Sequence, residues 1–76
     1  MFNYNILPNT DEAVFEEVCN LIEKAMPKYK REKLLIDVDS SFIQVFANKK
    51  SKITVINDED VGALYIISDE RLTVFE

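Results

Sequence analysis

The sequence predicts an α+β, two-layer domain: one N-terminal amphipathic helix packed on a mainly antiparallel meander sheet of five strands, or six if the first residues join it. Three observations carry that prediction. Apolar residues recur at helical spacing between about residues 10 and 26. From residue 33 onward the period falls to two, in runs rich in Ile, Val and Phe. The breaks between those runs are two to five residues long, too short for a parallel crossover.

Residues 2–7 alternate Phe2, Tyr4 and Ile6 with Asn3 and Asn5, a short strand that Pro8 stops. Asn9 or Thr10 is placed to cap the helix, with Glu12 three residues after Asn9 in the capping-box position. Asp11 and Glu12 suit the positive end of the helix dipole. Val14, Val18, Leu21 and Ile22 form the stripe expected against the sheet, and Cys19 shares that apolar arc. Pro27 ends the helix near residue 25 or 26, because the residue before a proline is pushed out of helical geometry. Strands are expected at 33–39, 42–48, 52–57, 63–68 and 71–75. Turns at Ser40-Ser41, Lys49 to Ser51, Asp58 to Gly62 and Asp69-Glu70 make neighbouring strands hairpins. Gly62, the only glycine, allows a positive φ in the acidic loop.

The chain has 76 residues, 47% hydrophobic and 30% charged, a globular composition sized for a single domain over 1–76. No apolar run approaches the roughly 20 residues of a membrane span, so no membrane partner is expected. The start MFNYNILPN lacks the basic and long apolar regions of a secretion signal. One cysteine cannot form an intramolecular disulfide, and a reducing cytoplasmic location is expected.

Charge is unevenly placed. Residues 24–52 hold eight of the nine cations and three of the fourteen acids, in a chain of net charge −5. A meander brings the segment around Lys28, Lys30, Arg31 and Lys33 to the same end as the turn bearing Lys49, Lys50 and Lys52. Asp58, Glu59 and Asp60 fall at the opposite end, with the helix start. The ordinary role of such a basic pole is solvation and protection of hairpin ends. Its functional role would be anion binding, with Tyr29 and Phe46 as candidate stacking rings for a single-stranded nucleic acid. The acidic net charge argues against that use.

Catalytic chemistry is poorly provided for. Histidine is absent, which removes the commonest general base and metal ligand. Without a histidine partner Cys19 reads as a small core hydrophobe. Asp37 with Asp39, or Asp58 with Glu59 and Asp60, does not follow calcium-loop spacing, and no glycine-rich phosphate cradle exists. No catalytic residue, metal ligand or cofactor is assigned.

The apolar pattern is the sharper signal. Alternation places Leu34, Ile36, Val38, Ile43, Val45, Ile53, Val55, Leu64, Ile66, Leu72 and Val74 mostly on one face, for the helix to cover. The other face collects Phe42, Phe46, Tyr65, Ile67 and Phe75, with Leu35 and Ile56. One helix covers one face, and an uncovered apolar face of a small domain marks an interaction surface. The sequence therefore predicts a small non-enzymatic protein-binding module, of a regulator, inhibitor or immunity type, that self-associates as a homodimer. Its protein target is not named by the sequence. A nucleic-acid partner at the basic pole ranks second, and a small enzyme or metal-binding domain third.

Overall fold

The computed structural model describes every residue from Met1 to Glu76. In chain order it contains β1 (Phe2–Leu7), α1 (Glu12–Ala25), β2 (Lys30–Arg31), β3 (Leu35–Ile36), β4 (Phe42–Ala47), β5 (Lys52–Asp58) and β6 (Ala63–Ser68), then a 3-10 turn at Thr73–Phe75. All strand pairs are antiparallel, in the order β1-β6-β5-β4-β2, with β3 also paired to β4. The chain thus forms the expected two-layer α+β arrangement, one helix on a largely meandering sheet, with six strands.

The helix starts two residues later than the capping-box reading at Asn9 expects. Asp11, rather than Asn9 or Thr10, is the N-cap: its extended backbone lets Oδ1 accept the Val14 N–H at 3.0 Å. Its own N–H donates to Asn57 Oδ1 at 3.0 Å, which fixes the helix start to β5. At the other end the Met26 N–H closes the last turn on the Ile22 carbonyl, and Pro27 follows. Phe15, Val18, Cys19 and Ile22 are the buried stripe. Leu21 is 41% exposed, so the sheet-facing stripe is rotated from the expected Val14–Leu21 line toward Phe15 and Cys19.

The strand expected over 33–39 is instead a bulged strand running from residue 30 to 36. Arg31 pairs with Phe46 and Leu35 with Ile43, so three residues on one side oppose two on the other. Gln44, buried at the bulge, satisfies it: its Nε2 donates to the Glu32 carbonyl and its Oε1 accepts from Arg31 Nε at 3.2 Å. Arg31 continues to the helix, where its guanidinium meets Glu23 at 2.9 Å, Asn20 at 3.0 Å and Glu16 at 3.2 Å. It also lies 5.8 Å from the centroid of Phe46. One side chain thereby joins the bulged edge, the core ring and the outer flank of the helix.

Residues 71–75 do not form a strand. The edge of β6 they would need is already taken by β1, through pairs such as Phe2 with Ser68 and Tyr4 with Ile66. The C-terminal segment crosses the helix side instead. Leu72 is buried and donates its N–H to Tyr4 Oη at 2.8 Å, and the Phe75 ring stands 6.2 Å from that of Tyr4.

The core is the layer between the helix and the sheet face carrying Phe46, Ile53, Val55, Leu64 and Ile66. Phe46→Ala should cost about 3–5 kcal/mol in urea denaturation, as removal of a fully buried ring does. Gln44→Leu should cost about 1–3 kcal/mol, because the Glu32 carbonyl and Arg31 lose their buried partner. Val38→Ala, at a fully exposed position, should stay within about 0.5 kcal/mol of the parent.

Candidate interaction face

A four-residue turn decides which side chains the sheet offers to solvent. Asn48 Oδ1 accepts the backbone N–H groups of Lys50 at 2.9 Å and Ser51 at 2.8 Å, so the turn spans Asn48 to Ser51 and Ala47 stands opposite Lys52. A three-residue turn starting at Lys49 would shift this register by one and reverse both faces of β4. With Ala47 opposite Lys52, Phe46 falls beside Ile53 under the helix, and Ile43 and Val45 point away from it.

The helix-free face follows row by row from the register. One row is Leu35, Ile43, Ile56, Tyr65 and Asn5, and the next is Val45, Thr54, Ile67 and Asn3. Its residues on β4, β5 and β6 are half-buried by their sheet neighbours, while Asn3 and Asn5 on β1 are exposed and Leu35 at the other edge is 52% exposed. No segment of the chain lies over Ile43, Val45, Ile56, Tyr65 and Ile67 as α1 lies over the opposite face. Lys30, Ala47 and Lys52 border these rows at one end, and Asp37, Ser41 and Asp58 border them at the other.

Tyr65 and Ile67 therefore sit where the sequence pattern placed them. Phe42, Phe46 and Phe75 do not, and the expectation that they belong to the uncovered face is corrected. Phe46 is fully buried, and Phe42 lies edge-on to Phe15 with centroids 5.7 Å apart. Phe75 packs on Tyr4. Ile43 and Val45, expected under the helix, take their places on the open face, where Ile56 stands as the pattern had it. The signal that would have found Ile43 and Val45 is Asn48, a residue whose side chain builds turns.

The basic pole is assembled only in part. Lys28, Lys30, Lys49, Lys50 and Lys52 lie at the end where α1 finishes and the Asn48 turn protrudes, while Lys33 stands further along, in the bulge. Arg31 is withdrawn from the pole into its ion pairs with the helix. Acids enter the same end: Asp69 Oδ2 accepts the Lys52 N–H at 2.9 Å, and Glu70 accepts from Tyr29 Oη. Tyr29 and Phe46 are 7% and 0% exposed, so neither ring is free to stack on a base. A small cleft of about 260 Å³ between Lys28, Tyr29 and Glu70 is the only concavity there.

The acidic pole is largely committed to its own loop. Asp58 Oδ1 accepts from the Asp60 and Val61 N–H groups at 3.0 and 3.3 Å, and its Oδ2 accepts from Tyr65 Oη at 2.8 Å. Gly62, at φ 69°, closes the loop with an N–H to the Asp58 carbonyl, the positive φ expected of it. Burial, and then the Asp58 carboxylate, push the Tyr65 hydroxyl up to about 12. Glu59 lines an open cleft of about 450 Å³ with Asp11, Glu12 and Ile36, beside the helix start. Asp39 is used locally as well, and the Ser41 N–H it accepts holds its carboxyl below the usual range.

Elsewhere, no three carboxylate or thiol side chains converge in a way that could hold a metal ion. Cys19 is fully buried against the sheet, and burial pushes its thiol up to about 12. No helix is long and apolar enough to cross a membrane. Comparison with protein-family models, with curated proteins and with solved structures finds no match to the chain.

Cys19 should accordingly resist a thiol reagent such as DTNB at pH 8 in the folded protein and react at once in denaturant. Its folded value lies above the ordinary 9.0, so the thiol favours the native state fully below about pH 9. That contribution should fade as pH rises from about 9 toward 12, with Tyr65 acting in the same sense. A denaturation midpoint that falls across this window checks the sign.

Proposed function

We propose that the protein is a small, non-enzymatic protein-binding module, a regulator, inhibitor or immunity-type factor, that works through its helix-free sheet face. The observation that carries this reading is the contiguous set Ile43, Val45, Ile56, Tyr65 and Ile67 on a face that α1 and the C-terminal segment leave open. Antiparallel sheets with one solvated face ordinarily alternate apolar-in with polar-out. Here Thr54 is the one polar side chain among the central positions of that face.

The chemistry elsewhere supports a binding role over a catalytic one. The carboxylates of Asp39 and Asp58 serve turns, Arg31 serves the helix, and the single thiol is buried and protonated. A lone reduced cysteine also fits a cytoplasmic setting. The lysine-rich end has exposed cations but no accessible ring beside them, which favours the apolar face over a nucleic-acid contact.

Affinity capture from host lysate at two salt concentrations tests the reading with two variants. A protein retained at both salts, lost with Ile67→Asp and kept with Lys49→Glu/Lys50→Glu, is the expected outcome. Loss with Ile67→Asp should exceed about tenfold, since it places a charge in the centre of the contact. Salt-labile nucleic acid, released by Lys49→Glu/Lys50→Glu and indifferent to Ile67→Asp, would replace this reading with the nucleic-acid one.

A further inference from the structure

The two ends of the helix-free face differ in charge, Lys30 and Lys52 with Asp69 beside Lys52 at one and Asp37 and Asp58 at the other, and the register makes the face symmetric about its middle row. That row is Gln44, Val55, Ile66 and Tyr4, whose side chains point to the helix side. One step from it on the open face stand Val45, Thr54, Ile67 and Asn3, and one step the other way Ile43, Ile56, Tyr65 and Asn5. Three steps away are Ala47 and Lys52, with Lys30 beside them, and on the other side Ser41 and Asp58, with Asp37 beside them. Lys52 and Asp58 are about 20 Å apart along β5 at strand rise.

We infer that the occupant of this face is a second copy of the chain, packed sheet to sheet about a two-fold axis that crosses the strands along the middle row. The inference rests on the proposed binding role of the face and names its partner. A two-fold axis across the strands reverses strand direction but keeps each strand column over its own counterpart. Lys52 of one copy then stands over Asp58 of the other, and Lys30 over Asp37, each twice by symmetry. Val45 meets Ile43, Ile67 meets Tyr65, and Asn3 meets Asn5. A two-fold axis parallel to the strands would set lysine on lysine and aspartate on aspartate, so charge selects the first arrangement.

The dimensions allow such a contact. Five strand columns at about 4.8 Å spacing and a length of about 20 Å give roughly 400 Å² in projection. That lies below the roughly 800 Å² per partner of a standard interface, so the contact is a small one whose population depends on concentration. The apolar rows occupy the centre and the charged groups the two ends, the core-and-rim pattern of specific interfaces. Glu32, opposite Val45 at the outer edge, falls at the rim.

Sedimentation equilibrium of the full chain tests this with charge reversals that leave the core alone. Lys30→Glu/Lys52→Glu reverses the basic end. Asp37→Lys/Asp58→Asn reverses the acidic end while keeping an amide oxygen to cap the 58–62 loop. The wild type should form a two-copy species, and each variant alone should dimerise about tenfold more weakly at low salt. An equimolar mixture of the two variants should recover most of the wild-type affinity as a mixed dimer, because three of the four end contacts then meet the opposite sign and the fourth meets the neutral amide at position 58. Circular dichroism of each variant checks that the fold survives. A wild type that stays monomeric at millimolar concentration overturns the inference, as does a dimer indifferent to both reversals. If the wild type is monomeric yet Ile67→Asp still abolishes capture of a different protein, the second copy is wrong and the binding face stands. If Ile67→Asp changes neither self-association nor capture, both readings fall.

Discussion

The register between β4 and β5 is the constraint on which the rest of the molecule depends. Asn48 sets it by folding its side chain onto the Lys50 and Ser51 N–H groups, leaving Ala47 opposite Lys52. From that pairing it follows that Phe46 lies in the core, that Gln44 is buried beside it, and that Ile43 and Val45 are left facing outward. A single residue more or less in the turn would exchange those sets. The helix would then meet Ile43 and Val45, and two phenylalanine rings would stand in water.

Burying Gln44 has a structural use that explains how a polar residue is tolerated in a small core. The strand opposite it carries an extra residue, and a bulge leaves backbone groups without ladder partners. Gln44 takes the Glu32 carbonyl with its amide nitrogen and orients Arg31 with its amide oxygen. Arg31 in turn reaches Glu16, Asn20 and Glu23 on α1. Register, bulge and helix position are thus coupled through two side chains. The cost of dehydrating Arg31 is offset by several charge-assisted bonds rather than one.

The same coupling separates the two sheet faces by chemistry. The covered face holds Phe42 and Phe46 and packs against the helix stripe that carries the Cys19 thiol, with Asn57 and Gln44 satisfied by the helix start and the bulge. The open face is aliphatic at its centre, carries one phenol tied to Asp58, and ends in lysine on one side and aspartate on the other. Alternating residues of one strand serve different purposes: β5 sends Ile53, Val55 and Asn57 inward, and Lys52, Thr54, Ile56 and Asp58 outward. Polarity along the strands and division between the faces arise together.

The sequence by itself determined the fold class, the single helix ended by Pro27, the antiparallel connectivity and the alternation within each of β5 and β6. These depend on local period and on short connections, which are written in consecutive residues. Alternation along β6 alone also put Tyr65 and Ile67 on the face opposite Leu64 and Ile66; that Val55 shares the face of Ile66 follows from the observed pairing of Asp58 with Ala63, one residue inside the turn expected from Asp58 to Gly62. The phase of β4 was not legible, since it turns on whether Asn48 belongs to the strand or to the turn. Nor was the fate of residues 71–75, whose strand-like composition yields to competition: β1 occupies the edge they would join. Arg31 belongs to the same class. Its charge placed it in the basic pole, and only the bulge, which turns it toward the helix, brought it against Glu16 and Glu23. What tertiary structure decided is what needs two distant segments to meet, because register, edge occupancy and ion pairing are properties of pairs.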